Sequence, residues 1–413
     1  MTSVLLALAV VVASARCVGA VALRLGQPRV VGEIVSGILL GPSVLGLVAN
    51  GRVVDRLFDV PTRNALGVLG QIALLLFMFG VGLSMDTAML RGRARAYGSV
   101  AVSVVAAPVV GGFALLPVLH DDRFTTTSGT AQVSAVAFAL LVGAMLSVTA
   151  FPVMYRILQE HGLERTELGV LATAAAAVVT VLMFVVVAIA TTVHEGAGVA
   201  AIVRVPIEST LYLAGMAFVV RPALARMVGE RFEAGVERPE TFALVFVVLF
   251  GSGWLAAEVG LGVIVGGFVA GLVLPARELL SPVIARRLGD LVTAVLLPVF
   301  LAVSGLATDL TTLGFAWLPG LALLLVAAVL SKWLVGAAVA RLVGLGTRDA
   351  NALGILLNCR GLLVLVVGVI GLEEGIITPQ LQVGSVLVAL VTTAMTSPMF
   401  LAVSSPRREP VDQ

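Results

Sequence analysis

The chain has 413 residues, 59% hydrophobic and only 12% charged, with a formal net charge of +2. A soluble domain carries about 25% charged residues to cover its surface, and this chain has too few, so a soluble fold is excluded. The near-neutral charge gives no footing for nucleic acid as a partner. The 44 glycines fit membrane helices, which use small residues for close backbone contact. Cys17 and Cys359 both lie in apolar runs, so no disulfide framework is expected.

A helix needs roughly 20 apolar residues to cross a bilayer. By that criterion there are about thirteen runs: 3–23, 30–48, 66–85, 98–119, 131–155, 168–193, 205–220, 241–257, 260–275, 291–307, 316–340, 350–371 and 381–403. The first begins at once, carries Arg16 and shows no clear cleavage site, so it reads as a span rather than a removable signal peptide. The second and ninth are short and glycine-rich. Connections after odd-numbered spans, with the C-terminal tail, hold 18 arginines, from Arg24 and Arg29 to Arg407 and Arg408. Connections after even-numbered spans hold five: Arg52, Arg56, Arg63, Arg123 and Arg204. Basic loops stay in the cytoplasm, which predicts an outside N-terminus, a cytoplasmic C-terminus and an odd span count.

Residues 221–240 form the largest polar connection and divide one transmembrane domain into two halves. The first repeat covers about 1–195, a linking span about 205–220, and the second repeat about 241–404. Such a division is expected of two inverted repeats in a transporter.

Ionisable residues inside spans are costly and usually mark function. Here they are Arg16, Glu33, Glu208, Glu258, Lys332 and Arg360. Lys332 is the only lysine, beside 25 arginines, and it sits mid-span. A buried lysine can lose its proton and an arginine in practice cannot, so Lys332 is read as functional rather than as a snorkelling side chain. Glu33 and Glu258 admit both a structural and a functional reading. Asp86 and Asp309 read as span-boundary residues; His120, His161 and His194 lie in expected loops and read as solvated. Two spans look broken. In the fifth, Pro152 follows Ser147-Val148-Thr149-Ala150-Phe151; in the twelfth, Asn358-Cys359-Arg360-Gly361 interrupts an apolar run. Paired interruptions at matching places in two halves point to a midplane site. No zinc spacing, Walker motif, nucleophile elbow or dinucleotide fingerprint occurs, so neither metal nor cofactor is expected.

Several strings together resemble the monovalent cation/proton antiporter superfamily, in its Kef-type and Na+/H+ exchanger branch. They are Gln27 to Ile34 with Gly41-Pro42-Ser43, Gly82 to Asp86, Thr149 to Val153 with Arg156, and Glu258 through Gly271. Further along come Leu297-Pro298 through Leu310, Lys332, Asn358 to Gly361, and Gly371-Leu372 with Gly375 to Ile377. The resemblance runs in order through nearly the whole chain. It implies crossed broken helices in spans 5 and 12, alternating access, a homodimer in the plasma membrane, and a cation and a proton bound in turn by carboxylates of the sixth span.

Those carboxylates are absent. The resemblance places the acidic pair at Val179 and Thr180, and no Asp or Glu lies between Glu167 and Glu195. A second family acid falls at Val364. Without an acid beside it, a protonated Lys332 leaves the site net positive, which favours an anion or a neutral lysine. Three readings follow, the last being a non-transporting structural or regulatory relative, against which the costly Lys332 and Arg360 argue. The first is transport of Na+ or K+ against protons, with Lys332, Arg360, Asn358, Thr180, Thr173, Thr149, Glu33 and Glu258 as candidate coupling residues. The second is a repurposed scaffold that exports or converts a lipophilic small molecule, including an anionic one. That conversion would be an isomerisation or cyclisation using Lys332 or Glu258 as acid/base.

Overall fold

The computed structural model describes residues 2–48, 52–84, 94–121, 124–125, 127–128, 131–150, 154–155, 157–158, 162–163, 166–232, 239–274, 288–306, 308–361 and 363–404. Apart from a two-residue antiparallel ladder pairing Thr127–Ser128 with Ala131–Gln132, the regular structure among these residues is helical. In chain order the helices are α1 (Thr2–Arg24), α2 (Arg29–Leu40), α3 (Arg52–Leu57), α4 (Val60–Ser84), α5 (Ala94–Ala114) and α6 (Leu116–Leu119). Then come α7 (Ala135–Ser147), α8 (Glu167–His194), α9 (Val199–Gly215), α10 (Arg221–Phe232), α11 (Pro239–Glu258) and α12 (Gly262–Val273). The last are α13 (Leu297–Leu306), α14 (Leu318–Leu342), α15 (Thr347–Leu357), α16 (Leu363–Glu373) and α17 (Pro379–Ser404). All thirteen apolar runs carry helix. Among the described residues, eight helical segments are long and apolar enough to cross a bilayer alone, and shorter apolar helices fill the other runs.

The polar stretch after Val220, read from the sequence as a connection, is helical as far as Phe232. Arg, Ala, Leu, Met and Glu are good helix formers whatever their polarity. Pro222 lacks the N–H of a regular turn, and a π-helical turn at Met216–Val220 takes up the mismatch. The same pairing recurs where a π turn at Val292–Leu296 leads into Pro298 at the start of α13.

Two compact units divide the chain. The first is Met1–Ala88 with Phe184–Thr312, and the second is Met89–Met183 with Leu313–Gln413. In the first unit glycines bring helix backbones together. A methyl group on Gly37 of α2 would lie 1.9 Å from the Ala302 carbonyl oxygen of α13, and one on Gly82 of α4 would lie 2.1 Å from that of Phe268 in α12. This is the small-residue contact that drives helix association in lipid, where apolar burial supplies no net force. Leu75, Phe79, Leu83 and Leu249 fill the space beside it.

In the second unit α7 is central. Ten of its thirteen residues are buried, which is why its sequence shows no polar stripe. A Cβ on Gly112 of α5 would stand 2.2 Å from the Ala139 carbonyl of α7, and one on Gly354 of α15 would stand 2.5 Å from that of Trp333 in α14. α14 therefore lies close along α15 and α5, and carries Lys332 into the interior.

Candidate functional site

α7 stops at Ser147, and Val148 leaves the helix with φ −51° and ψ 134°. The last carbonyls of a helix have no intrahelical donor. Val148 is itself out of the helix, so its carbonyl, like that of Ser147, is left open. Pro152 lies outside the described residues, as do Asp86, Arg156 and His161.

The second interruption faces the first. α15 ends at Leu357, the Asn358 N–H reaches back to Gly354 and Ile355 at 3.1 Å, and Cys359–Gly361 is non-helical before α16 begins. The Ala150 N–H donates to the Cys359 carbonyl at 2.7 Å. The Thr149 hydroxyl donates to the Leu357 carbonyl at 3.0 Å. Each interruption thus satisfies backbone groups that the other leaves open, as irregular backbone at membrane depth requires.

Lys332 closes the arrangement. Its side chain is fully buried. Nζ donates to the Ser147 carbonyl at 2.6 Å, to the Val148 carbonyl at 2.7 Å and to the Thr149 hydroxyl. These three acceptors match the three N–H bonds of an ammonium, and a neutral amine has only two. Two of the acceptors are the open carbonyls ending α7, the negative end of that helix. The lysine charge is met by a helix terminus and a hydroxyl. With the ammonium removed, Ser147 O, Val148 O and Thr149 Oγ1 are neutral oxygens of the kind that coordinate a dehydrated monovalent cation.

Arg360 is also buried, 1% exposed. Its Nη2 donates to the Ala328 carbonyl at 2.5 Å, one turn before Lys332 on α14. Its Nε and Nη1 are buried without a hydrogen-bond partner among the described residues. A narrow pocket beside it, lined by Val142, Met145, Leu324, Val364 and Ser385 among others, has room for about one water molecule. That space does not fit a lipophilic molecule. Asn358 Oδ1 and Thr173 Oγ1 are buried and have no hydrogen-bond partner among the described residues. The Thr180 hydroxyl donates within its own helix, to Ala176 at 2.9 Å. Every described carboxylate of this unit, namely Asp121, Glu167, Asp349, Glu373 and Glu374, is exposed.

The other expected site residues belong to the first unit. Glu33 is buried on α2, and Glu258 is exposed at the end of α11. Glu208 forms an i,i+4 pair with the exposed Arg204 at 2.5 Å, an arrangement that contributes little. Arg16 donates from Nε at 3.1 Å and Nη2 at 2.7 Å to the Ala294 carbonyl. Ala294 stands four residues before Pro298, so this is a carbonyl that the proline cannot serve. Sequence reading marks Arg16 but misses this partner, which lies 278 residues away. It also misses the carbonyls of Ser147 and Val148, because backbone acceptors have no residue signature.

Comparison with known proteins bears on the whole chain. The family model described as sodium/hydrogen exchanger, transmembrane, matches residues 9–402. The Na(+)/H(+) antiporter NhaS4 of Synechocystis sp. is 32% identical over 395 residues, covering 95% of each chain. The K(+)/H(+) antiporter 1 of Saccharomyces cerevisiae is 29% identical over 90% of this chain, which spans 43% of that longer protein. The solved structure of the sodium proton antiporter MjNhaP1 from Methanocaldococcus jannaschii has a TM-score of 0.62 at 17% identity. It covers 96% of this chain and 95% of that one, a likeness of fold.

Proposed function

The chain belongs to the sodium/hydrogen exchanger family of transmembrane proteins, and from that membership we propose that it exchanges Na+ or K+ for protons by alternating access. The observation that carries the mechanism is the set of three oxygens held by Lys332 where the two interrupted helices meet. With its proton, Lys332 fills Ser147 O, Val148 O and Thr149 Oγ1. When the proton leaves, the amine gives up one N–H bond and withdraws, and a dehydrated Na+ or K+ takes the oxygens. Proton and cation exclude one another, so each leaves as the other arrives. The charge at the oxygens is +1 with either occupant, so the exchange runs without the family's acidic pair. Thr149 ties cation occupancy to the second interruption, because its hydroxyl also holds Leu357.

The same reading has the chain as two inverted repeats, about 1–195 and 241–404, with thirteen crossings. What supports it is the matched placing of the interruptions after α7 and α15. It works in the plasma membrane as a homodimer, a state the family leads one to expect. The N-terminus lies outside and the C-terminus in the cytoplasm, on the arginine bias.

The test is proton flux in liposomes under an imposed pH gradient, followed with a lumenal dye on adding Na+ or K+. Cation-driven flux in the wild type that vanishes in Lys332→Ala is expected. Equal flux in the variant removes Lys332 as the proton carrier. Absence of flux from folded wild-type protein contradicts antiport itself.

A further inference from the structure

We propose that Arg360 holds a small monoanion, of the size and charge of chloride, in the narrow pocket it shares with α7, α14, α16 and α17. Four observations converge there. The guanidinium is always charged, is 1% exposed, and leaves Nε and Nη1 without partners among the described residues. The described carboxylates of its unit are all exposed, so none of them neutralises it. The pocket opens on Arg360 and on Val364, in the first turn of α16, at the positive end of that helix's dipole, while the Val364 N–H itself is bonded to the Gly361 carbonyl at 3.1 Å. Ser385, the other polar side chain of the lining, spends its hydroxyl proton on the Gln382 carbonyl at 2.6 Å. Recognition therefore falls to the arginine.

The size of the pocket selects the ligand. Room for about one water admits a halide and rejects a metabolite carboxylate. A water would satisfy the N–H groups but leave the charge standing, and that alternative is what the experiment separates. The bearing on transport rests on the exchange reading: a bound anion would screen Arg360 from a cation at the neighbouring oxygens. It would supply the negative charge that Val364 does not. The binding measurement stands whether or not exchange occurs.

The experiment follows thermal unfolding of the full chain in nanodiscs by tryptophan fluorescence. Chloride or bromide replaces gluconate at constant ionic strength. The wild type is expected to show a saturable rise of a few degrees, as a ligand bound only by the native state produces. Arg360→Gln loses that rise. Val364→Asp, which places a carboxylate in the pocket, also loses it and unfolds at a higher temperature than wild type in gluconate. This second variant keeps the test decisive if Arg360→Gln does not fold. A wild-type unfolding temperature that is the same in gluconate and chloride overturns the proposal and leaves water in the pocket. A halide rise that persists undiminished in a folded variant overturns it as well.

Discussion

Each unit contains a carbonyl left open where a helix is disturbed, and each answers with a buried or half-buried cation. In the first unit Pro298 leaves Ala294, and Arg16 donates to it twice. In the second, α7 stops at Ser147, and Lys332 donates to the Ser147 and Val148 carbonyls and to Thr149. The difference lies in what each cation can do next. Arginine keeps its proton in any protein environment, so Arg16 can only hold α1 against the turn before α13. Lysine can release its proton, and what it then uncovers is three oxygens at a place where two helices are interrupted. One device is a brace; the other is the exchange site proposed above. The chain spends its single lysine on the second.

Lys332→Arg breaks this contrast most sharply, because it gives the second unit the cation of the first. Charge and donors remain, proton release does not, and cation-driven proton flux should fall about 100-fold, equivalent to roughly 2.7 kcal/mol, in protein that still folds. Flux near wild type would show that Lys332 is a brace too. Arg16→Ala tests the other side. It strips a partly buried carbonyl of a charged donor and should destabilise the fold by about 2 kcal/mol in thermal unfolding. Flux per folded molecule should not change. Thr149→Val takes away one of the three oxygens and the bond to Leu357. It should raise the half-saturating cation concentration about tenfold, or roughly 1.4 kcal/mol, with a smaller change in maximal flux. Arg16→Lys should do least. A lysine still reaches one carbonyl but cannot fork onto it, so unfolding should shift by about 0.5 kcal/mol with flux unaltered.

Much of the fold is legible in the sequence because lipid leaves a chain few choices. All thirteen apolar runs carry helix, and the two interruptions fall where Pro152 and Asn358–Gly361 mark them. Lys332 is legible for a different reason: a lone lysine among 25 arginines signals a need that arginine does not meet. Its partners are not legible. Two are backbone carbonyls, and a carbonyl becomes a ligand only when its own helix stops using it. Scarcity of acids draws attention equally to Glu33 and Glu258, yet one is buried and the other exposed. A short apolar pattern does not distinguish an interior position from a helix end. The extension of the seventh run as far as Phe232 is hidden because polarity ends a hydrophobic run without ending a helix. The role of Arg16 depends on Pro298, and the two are joined only by the fold.

The central claim is that a proton on Lys332 and the transported cation compete for the same three oxygens. The most direct measurement is the half-saturating concentration of Na+ or K+ for proton flux in wild-type liposomes, taken at a series of pH values with equal pH on the two sides at the start. Competition predicts a half-saturating concentration that climbs as pH falls. The climb approaches about tenfold per pH unit where the amine is protonated, and maximal flux at saturating cation is unchanged. A half-saturating concentration that stays constant while maximal flux falls would contradict it, because proton and cation would then occupy separate places.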